Sequence, residues 1–291
     1  MSYILISDST TDLGYEFMKN NNVPFLSLSY TIGDEAYNDD MAKNTDMHKF
    51  YEDMRNGAAI PVTTQINAEQ YKAFFTPYLE AGQDVIYLCF SSGLSGSYTS
   101  AVNAQEELAN KYPARKIEVI DSLAASMGEG LLLWDAVEKR DAGLGFTELV
   151  AHIRKQVPRT NHWFTVDDLN HLYRGGRVSK TSAVLGTVLN IKPILNVDDA
   201  GHLIPIEKVR GRKKALIALA EKVEKYIVDS EAQTILISHG DCEEEARFTG
   251  EEIAKRVKVK GFYYSTIGPV IGAHSGPGTI AVFFFGASKG I

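Results

Sequence analysis

"DVIYLCFSSGLSGSY", residues 84–98, decides how the first half of this chain folds. Its opening is a short unbroken apolar run, rich in β-branched and aromatic residues, which reads as a strand buried on both faces. A loop of serines and glycines follows, and then a chain with helical spacing through about Asn110. The first N–H groups of a helix have no partner within it, and the aligned peptide dipoles place roughly half a positive charge there. Such a loop can hold an anion against bare backbone, with Gly93 and Gly96 allowing close approach and Ser95 offering a hydroxyl donor. The plainer reading is a serine cap on an ordinary helix, with glycines serving the turn.

The same beat extends outward in both directions. Tyr3 to Ser7 reads as a buried strand, and "DSTTDL" as a turn in which Asp12 or Thr11 caps the next helix. "VPFLSLSYTI" is strand-like, and "TDMHKFYEDMRNG" and "AEQYKAFFTPYLEAG" have helical spacing with glycine stops. "KIEVID" is a strand, followed by a helix to about Lys139 with an apolar stripe at Leu131, Leu132 and Trp134. Alternation of this kind predicts an α/β domain with a parallel sheet.

Proline and a polar cluster in "KQVPRTNH", residues 155–162, interrupt the pattern and divide the chain into 1–158 and 159–291. Beyond lie strand "HWFTV", a short helix, a "GGR" turn and another helix. "KPILNV" and "HLIPIEKVR" form a hairpin about "DDAGH". Helix "RKKALIALAEKVEKYIVD", strand "TILISHG", helix "EEEARFTGEEIAKRV", strand "GFYYSTIG", a glycine-rich turn and strand "TIAVFFFG" complete it. The second half is expected to be an α+β domain with a mixed sheet.

A formal net charge of −7 over 291 residues disfavours nonspecific binding to nucleic acid or to an anionic membrane surface. Two cysteines, Cys89 and Cys242, show no paired spacing, which suits a reduced, cytoplasmic protein. The apolar runs are too short for a signal peptide or a membrane-spanning helix. The seven histidines lack metal-ligand spacing, so neither metal nor cofactor is expected.

Letter by letter, "GLSGSYT" has no Walker lysine and no dinucleotide fingerprint. It misses the nucleophile elbow GxSxG only at the last glycine, which keeps a serine acyl hydrolase open, with Ser95 as nucleophile and His274 as base. "PVTTQ", residues 61–65, reads as a hydroxyl-rich loop between helices, completing an anion site or capping a helix. His274 stands among four glycines and two prolines in "GPVIGAHSGPG", with room to reach a ligand. "LYRGGRVSK" and "KVRGRKK" supply cations that form a local patch or a solvated face. Asp8 and Asp121, just past strands, fit bonding to nearby backbone amides.

Taken in order, "DSTTDL", "TTQ", "SSGLSGSY", "DSLAASMGEG", "LYRGGRVSK", "KPIL" and "GPVIGAHSGPG" resemble the DegV family of bacterial fatty-acid-binding proteins, from about Tyr3 to Phe285. The resemblance implies two α/β domains with a long acyl chain sealed between them. Its carboxylate would be held by Thr63, Ser95 and His274, with Gly93, Gly96 and Ser9 as supporting loop positions. It also implies a carrier rather than a catalyst, which presents the fatty acid to a fatty acid kinase that makes acyl phosphate for phospholipid synthesis. Arg177 would face that partner. Where the family commonly has threonine-serine-glutamine-proline, this chain has Thr63, Thr64, Gln65 and Ile66. The hydroxyl is retained, and the lost proline bears on loop rigidity. A tail of roughly fifteen methylenes would gain on the order of 12 kcal/mol before ordering costs, so the head group mainly orients.

Overall fold

The computed structural model describes residues 3–58, 60–179 and 190–290. Strands β1 (Tyr3–Asp8), β2 (Phe25–Leu26), β6 (Asp84–Cys89) and β7 (Ile117–Asp121) form a parallel sheet in the order β2-β1-β6-β7. Val85 to Cys89 are all buried, because helices cover both faces of the sheet and leave no face for water. Strands β3 (Ser29–Ile32), β4 (Glu35–Asn38) and β5 (Val62–Thr64) make a small antiparallel sheet in which Tyr30 pairs with Thr63.

The second half supplies β8 (Thr160–Thr165), β9 (Ile191–Val197), β10 (Leu203–Arg210), β11 (Thr234–His239), β12 (Gly261–Thr266) and β13 (Ile280–Phe285). They form a mixed sheet, β10-β9-β8-β13-β11-β12, with β11 and β12 parallel and the other pairs antiparallel. The architecture is therefore α/β, a parallel-sheet domain followed by one with a mixed sheet. The helix expected after the "GGR" turn lies outside the described residues.

Helix Met127–Asp141 joins the halves. Its first part, Met127 to Leu133, is buried all round rather than along one stripe, because it lies between the parallel sheet and β8, β11 and β13. One core accordingly runs from Leu5, Ile86 and Leu88 through Leu131 and Leu132 to Phe164, Leu195 and Phe283. The other face of the mixed sheet packs on helices Arg212–Tyr226 and Glu243–Ala254.

Several local expectations are corrected by tertiary contacts. "VPFLSLSYTI" is two strands in two sheets, because Ser9 Oγ accepts the Leu28 N–H at 3.1 Å and turns the chain between them. "PVTTQ" carries the edge strand β5 rather than a loop. The cap in "DSTTDL" is Asp8, which accepts from the Thr10 N–H at 2.9 Å. Asp12 instead adopts φ 53° and turns inward, accepting from Gly268 N at 2.9 Å and from Ser126 Oγ at 2.5 Å. The glycine-rich turn contains helix Pro269–Ser275, started by Pro269 with its preset φ and ended at Gly276 with φ 78°.

Candidate functional site

A cavity of about 360 Å³ opens between the two halves, within the range of about 300–1,000 Å³ usual for small-molecule sites. Its wall is mainly apolar: Leu28, Phe90 and Leu94 from the first half, and Phe164, Leu172, Val197, Leu203 and Phe283 from the second. Thr63, Ser95, Arg177 and His274 line the same cavity, although they come from β5, the loop after β6, the "GGR" segment and helix Pro269–Ser275.

Thr63 and His274 are bonded directly, and Arg177 and His274 meet through Gly175. Thr63 Oγ1 and His274 Nε2 share a hydrogen bond of 2.8 Å, the tautomer deciding which one donates. The Nδ1 edge of His274 rests on Gly175, where any side chain would collide with the ring. The double glycine thus makes room for the histidine. Arg177 donates from Nε and Nη2 to the Leu94 carbonyl, at 3.1 and 2.8 Å, and from Nη1 to Gly175 O. It is half-buried in the cavity wall, while its neighbours Tyr173 and Arg174 are exposed. Burial, with a smaller push from Arg177, lowers His274 to about 4. The ring is therefore neutral at pH 7, able to donate one hydrogen bond and accept another.

Ser95 serves its helix as well as the cavity. Its Oγ accepts from Ser97 N at 3.2 Å and donates to Ser97 Oγ at 3.0 Å. Helix Ser97–Lys111 otherwise begins at Gly96 with no side-chain cap. This is poor geometry for ester hydrolysis, which needs a serine bonded to the base and a third group orienting that base. Here His274 Nε2 is engaged by Thr63, and Nδ1 meets no hydrogen-bond partner among the described residues. A base held near 4 is also too weak to take a serine proton at neutral pH.

The supporting positions act between parts of the protein rather than toward a ligand. A Cβ at Gly93 would fall 2.7 Å from Ala200 O and 2.8 Å from Gly201 O, so this glycine lets the loop touch the β9–β10 turn. Ser91 Oγ secures that contact by donating to Gly201 O at 2.9 Å. Gly96 leaves room for the Gln65 side chain. Ser9 is buried behind the wall and holds Leu28, which lines it. Asp8 accepts from Thr10 N and Phe90 N, and Asp121 from Ser92 N and Leu123 N. Both carboxylates fix the loop from behind. Within "KVRGRKK", Arg212 is paired to Glu245 at 2.5 Å and also donates to Gly278 O.

Sequence reasoning passed over two lining residues whose buried polar atoms have no partner among the described residues. Ser275 follows His274, and its Oγ is buried without a partner among the described residues. Adjacency was the available signal. His162, in β8, gave none, since one polar letter in a strand reads as a surface position.

Two α/β halves close on an apolar cavity with hydroxyl and imidazole groups in its wall, the architecture of the DegV class of proteins. The chain belongs to the DegV family: the family model described as "Uncharacterised protein, DegV family" matches residues 3–287. A DegV domain-containing protein of Clostridium perfringens is 40% identical over 287 residues, spanning 99% of this chain and 98% of its own. A fatty-acid-binding DegV family protein from Thermus thermophilus superposes with a TM-score of 0.87 at 27% identity, over 98% of this chain and 100% of its own. A stearic acid-binding protein from Eubacterium ventriosum gives 0.84 at 26% identity, over 97% of each chain. The family's solved members thus include proteins that bind fatty acids. No described helix is long and apolar enough to cross a membrane.

Proposed function

We propose that this chain binds a long-chain fatty acid in the cavity between lobes 1–158 and 159–291. In this reading it presents the carboxylate to a fatty acid kinase, which phosphorylates it to an acyl phosphate. Thr63, Ser95 and His274 hold the carboxylate, joined by Ser275. The observation that carries the reading is the meeting of these side chains, from distant parts of the chain, in the wall of one apolar cavity. A carboxylate offers only acceptors, and each donor that reaches it makes a charge-assisted bond. Neutral His274 donates without becoming a second buried charge, and Arg177 supplies a positive charge beside it. Arg177, between the cavity and the exposed residues Tyr173 and Arg174, links the bound carboxylate to the kinase.

The test is mass spectrometry of lipid extracted from the purified protein, followed by uptake of palmitate and oleate after delipidation. A copurifying or exchangeable long-chain acid is expected, with Thr63→Val and Ser95→Ala weakening retention. Absence of any fatty acid together with no uptake would overturn the reading. Turnover of a nitrophenyl ester lost in Ser95→Ala would replace it with the hydrolase.

A further inference from the structure

The cavity wall holds an unused polar group. His162 lines the wall and is 1% exposed, yet neither ring nitrogen meets a hydrogen-bond partner among the described residues. The Thr160 backbone acts on the ring but falls outside hydrogen-bond geometry. The ring stands edge-to-face on Phe283, with centroids 5.6 Å apart. Gly128, in the first turn of helix Met127–Asp141, leaves the space the imidazole fills. Burial keeps the ring neutral, with Lys289 adding to the effect. A neutral imidazole has one N–H and one lone pair, and burying either unpaired costs free energy that apolar packing does not return.

Its depth follows from the sheet register. On the antiparallel pair β8 and β13, Thr165 faces Ile280 near the Thr279–Ser275 end of the cavity, whereas His162 faces Phe283. Three residues of strand separate these levels, about 10 Å. At about 1.3 Å of rise per carbon–carbon bond, that is roughly eight bonds of an extended hydrocarbon. The imidazole therefore meets the middle of an 18-carbon chain rather than its carboxylate or its methyl end. A saturated tail has nothing to offer it. A hydroxyl can accept from the N–H or donate to the lone pair.

We infer that the preferred ligands are long-chain fatty acids carrying a mid-chain oxygen, recognised by His162. This rests on the proposed fatty acid reading of the cavity. The Ser126 hydroxyl, also in the wall, is occupied by Asp12 and Ser238, and that of Thr279 by the Ser275 and Gly276 carbonyls, so neither competes with His162 for the tail.

The test compares 10-hydroxystearic, 12-hydroxystearic and stearic acid on the delipidated wild-type protein by calorimetry. At least one hydroxy acid should bind about fivefold to tenfold more tightly than stearic acid, as expected for one buried hydrogen bond. His162→Phe should abolish the difference while retaining stearic acid. Nitrogen-15 shifts of the His162 ring should change with the hydroxy acid and not with stearic acid. Equal or weaker binding of both hydroxy acids to the wild type overturns the inference and leaves the fatty acid reading standing. Failure of all three acids to bind overturns that reading itself. The wild-type comparison and the ring shifts decide the matter even if His162→Phe does not fold.

Discussion

Gly175→Ala separates the role of His274 from the stability of the fold. Gly175 has φ −70° and ψ −9°, a conformation any residue adopts, so the added methyl strains no backbone. It would, however, sit 2.0 Å from His274 Nδ1, with 3.0 Å to Cε1 and 3.1 Å to Cγ. Restoring an ordinary contact of 3.4 Å moves the ring by about 1.4 Å, enough to carry Nε2 out of reach of Thr63. Loss of that neutral bond lowers stability by about 1 kcal/mol. Loss of the histidine's bond to a carboxylate weakens fatty acid binding by about 1.5–3 kcal/mol, roughly ten- to a hundredfold in Kd. The neighbouring Gly176→Ala is the control. At φ +73° it places a methyl in open space, so it strains the backbone by about 1 kcal/mol and leaves His274 alone. The assay is calorimetric titration of oleate into delipidated protein, beside thermal unfolding of each variant. Two similarly destabilised proteins are expected, of which only Gly175→Ala binds weakly. Wild-type affinity in Gly175→Ala refutes the assignment of His274 to the carboxylate.

Two further outcomes follow from buried groups. Burial holds Asp39 up at about 7 against an ordinary 3.8, so the folded protein pays for its ionisation as pH rises from about 4 to 7, by about 4 kcal/mol at most. Asp39→Asn should exceed the wild type by less than about 1 kcal/mol at pH 4 and by about 4 kcal/mol at pH 8; parallel pH–stability curves in urea unfolding would refute this. Gly93→Ala drives a methyl into the Ala200 and Gly201 backbone, which cannot rotate away. It should cost about 1–3 kcal/mol and speed fatty acid exchange by loosening the contact between halves, read by thermal unfolding and by exchange of a labelled acid. Unchanged unfolding and exchange would show that the contact is not tight.

The alternation of buried runs and helical spacing was enough to place β1, β6 and β7 in a parallel sheet, because a strand covered on both faces must be apolar throughout. The ordered motifs likewise contain Thr63, Ser95 and His274, which line one cavity. What local pattern could not carry were the features made by distant bonds. The break after Leu26 depends on Ser9, the strand character of Thr63 on pairing with Tyr30, and the all-round burial of helix Met127–Asp141 on the second sheet.

Periodicity registers which face of an element avoids water, and so it determined the elements, their class and most of their order. It is silent on what lies across a gap. Only the tertiary structure decided that Gly93 and Gly96 admit protein rather than ligand, that Gly175 seats the His274 ring, and that His162 is buried in the cavity wall. Each of these depends on atoms brought together from positions far apart in the chain, where spacing along the sequence holds no information about distance.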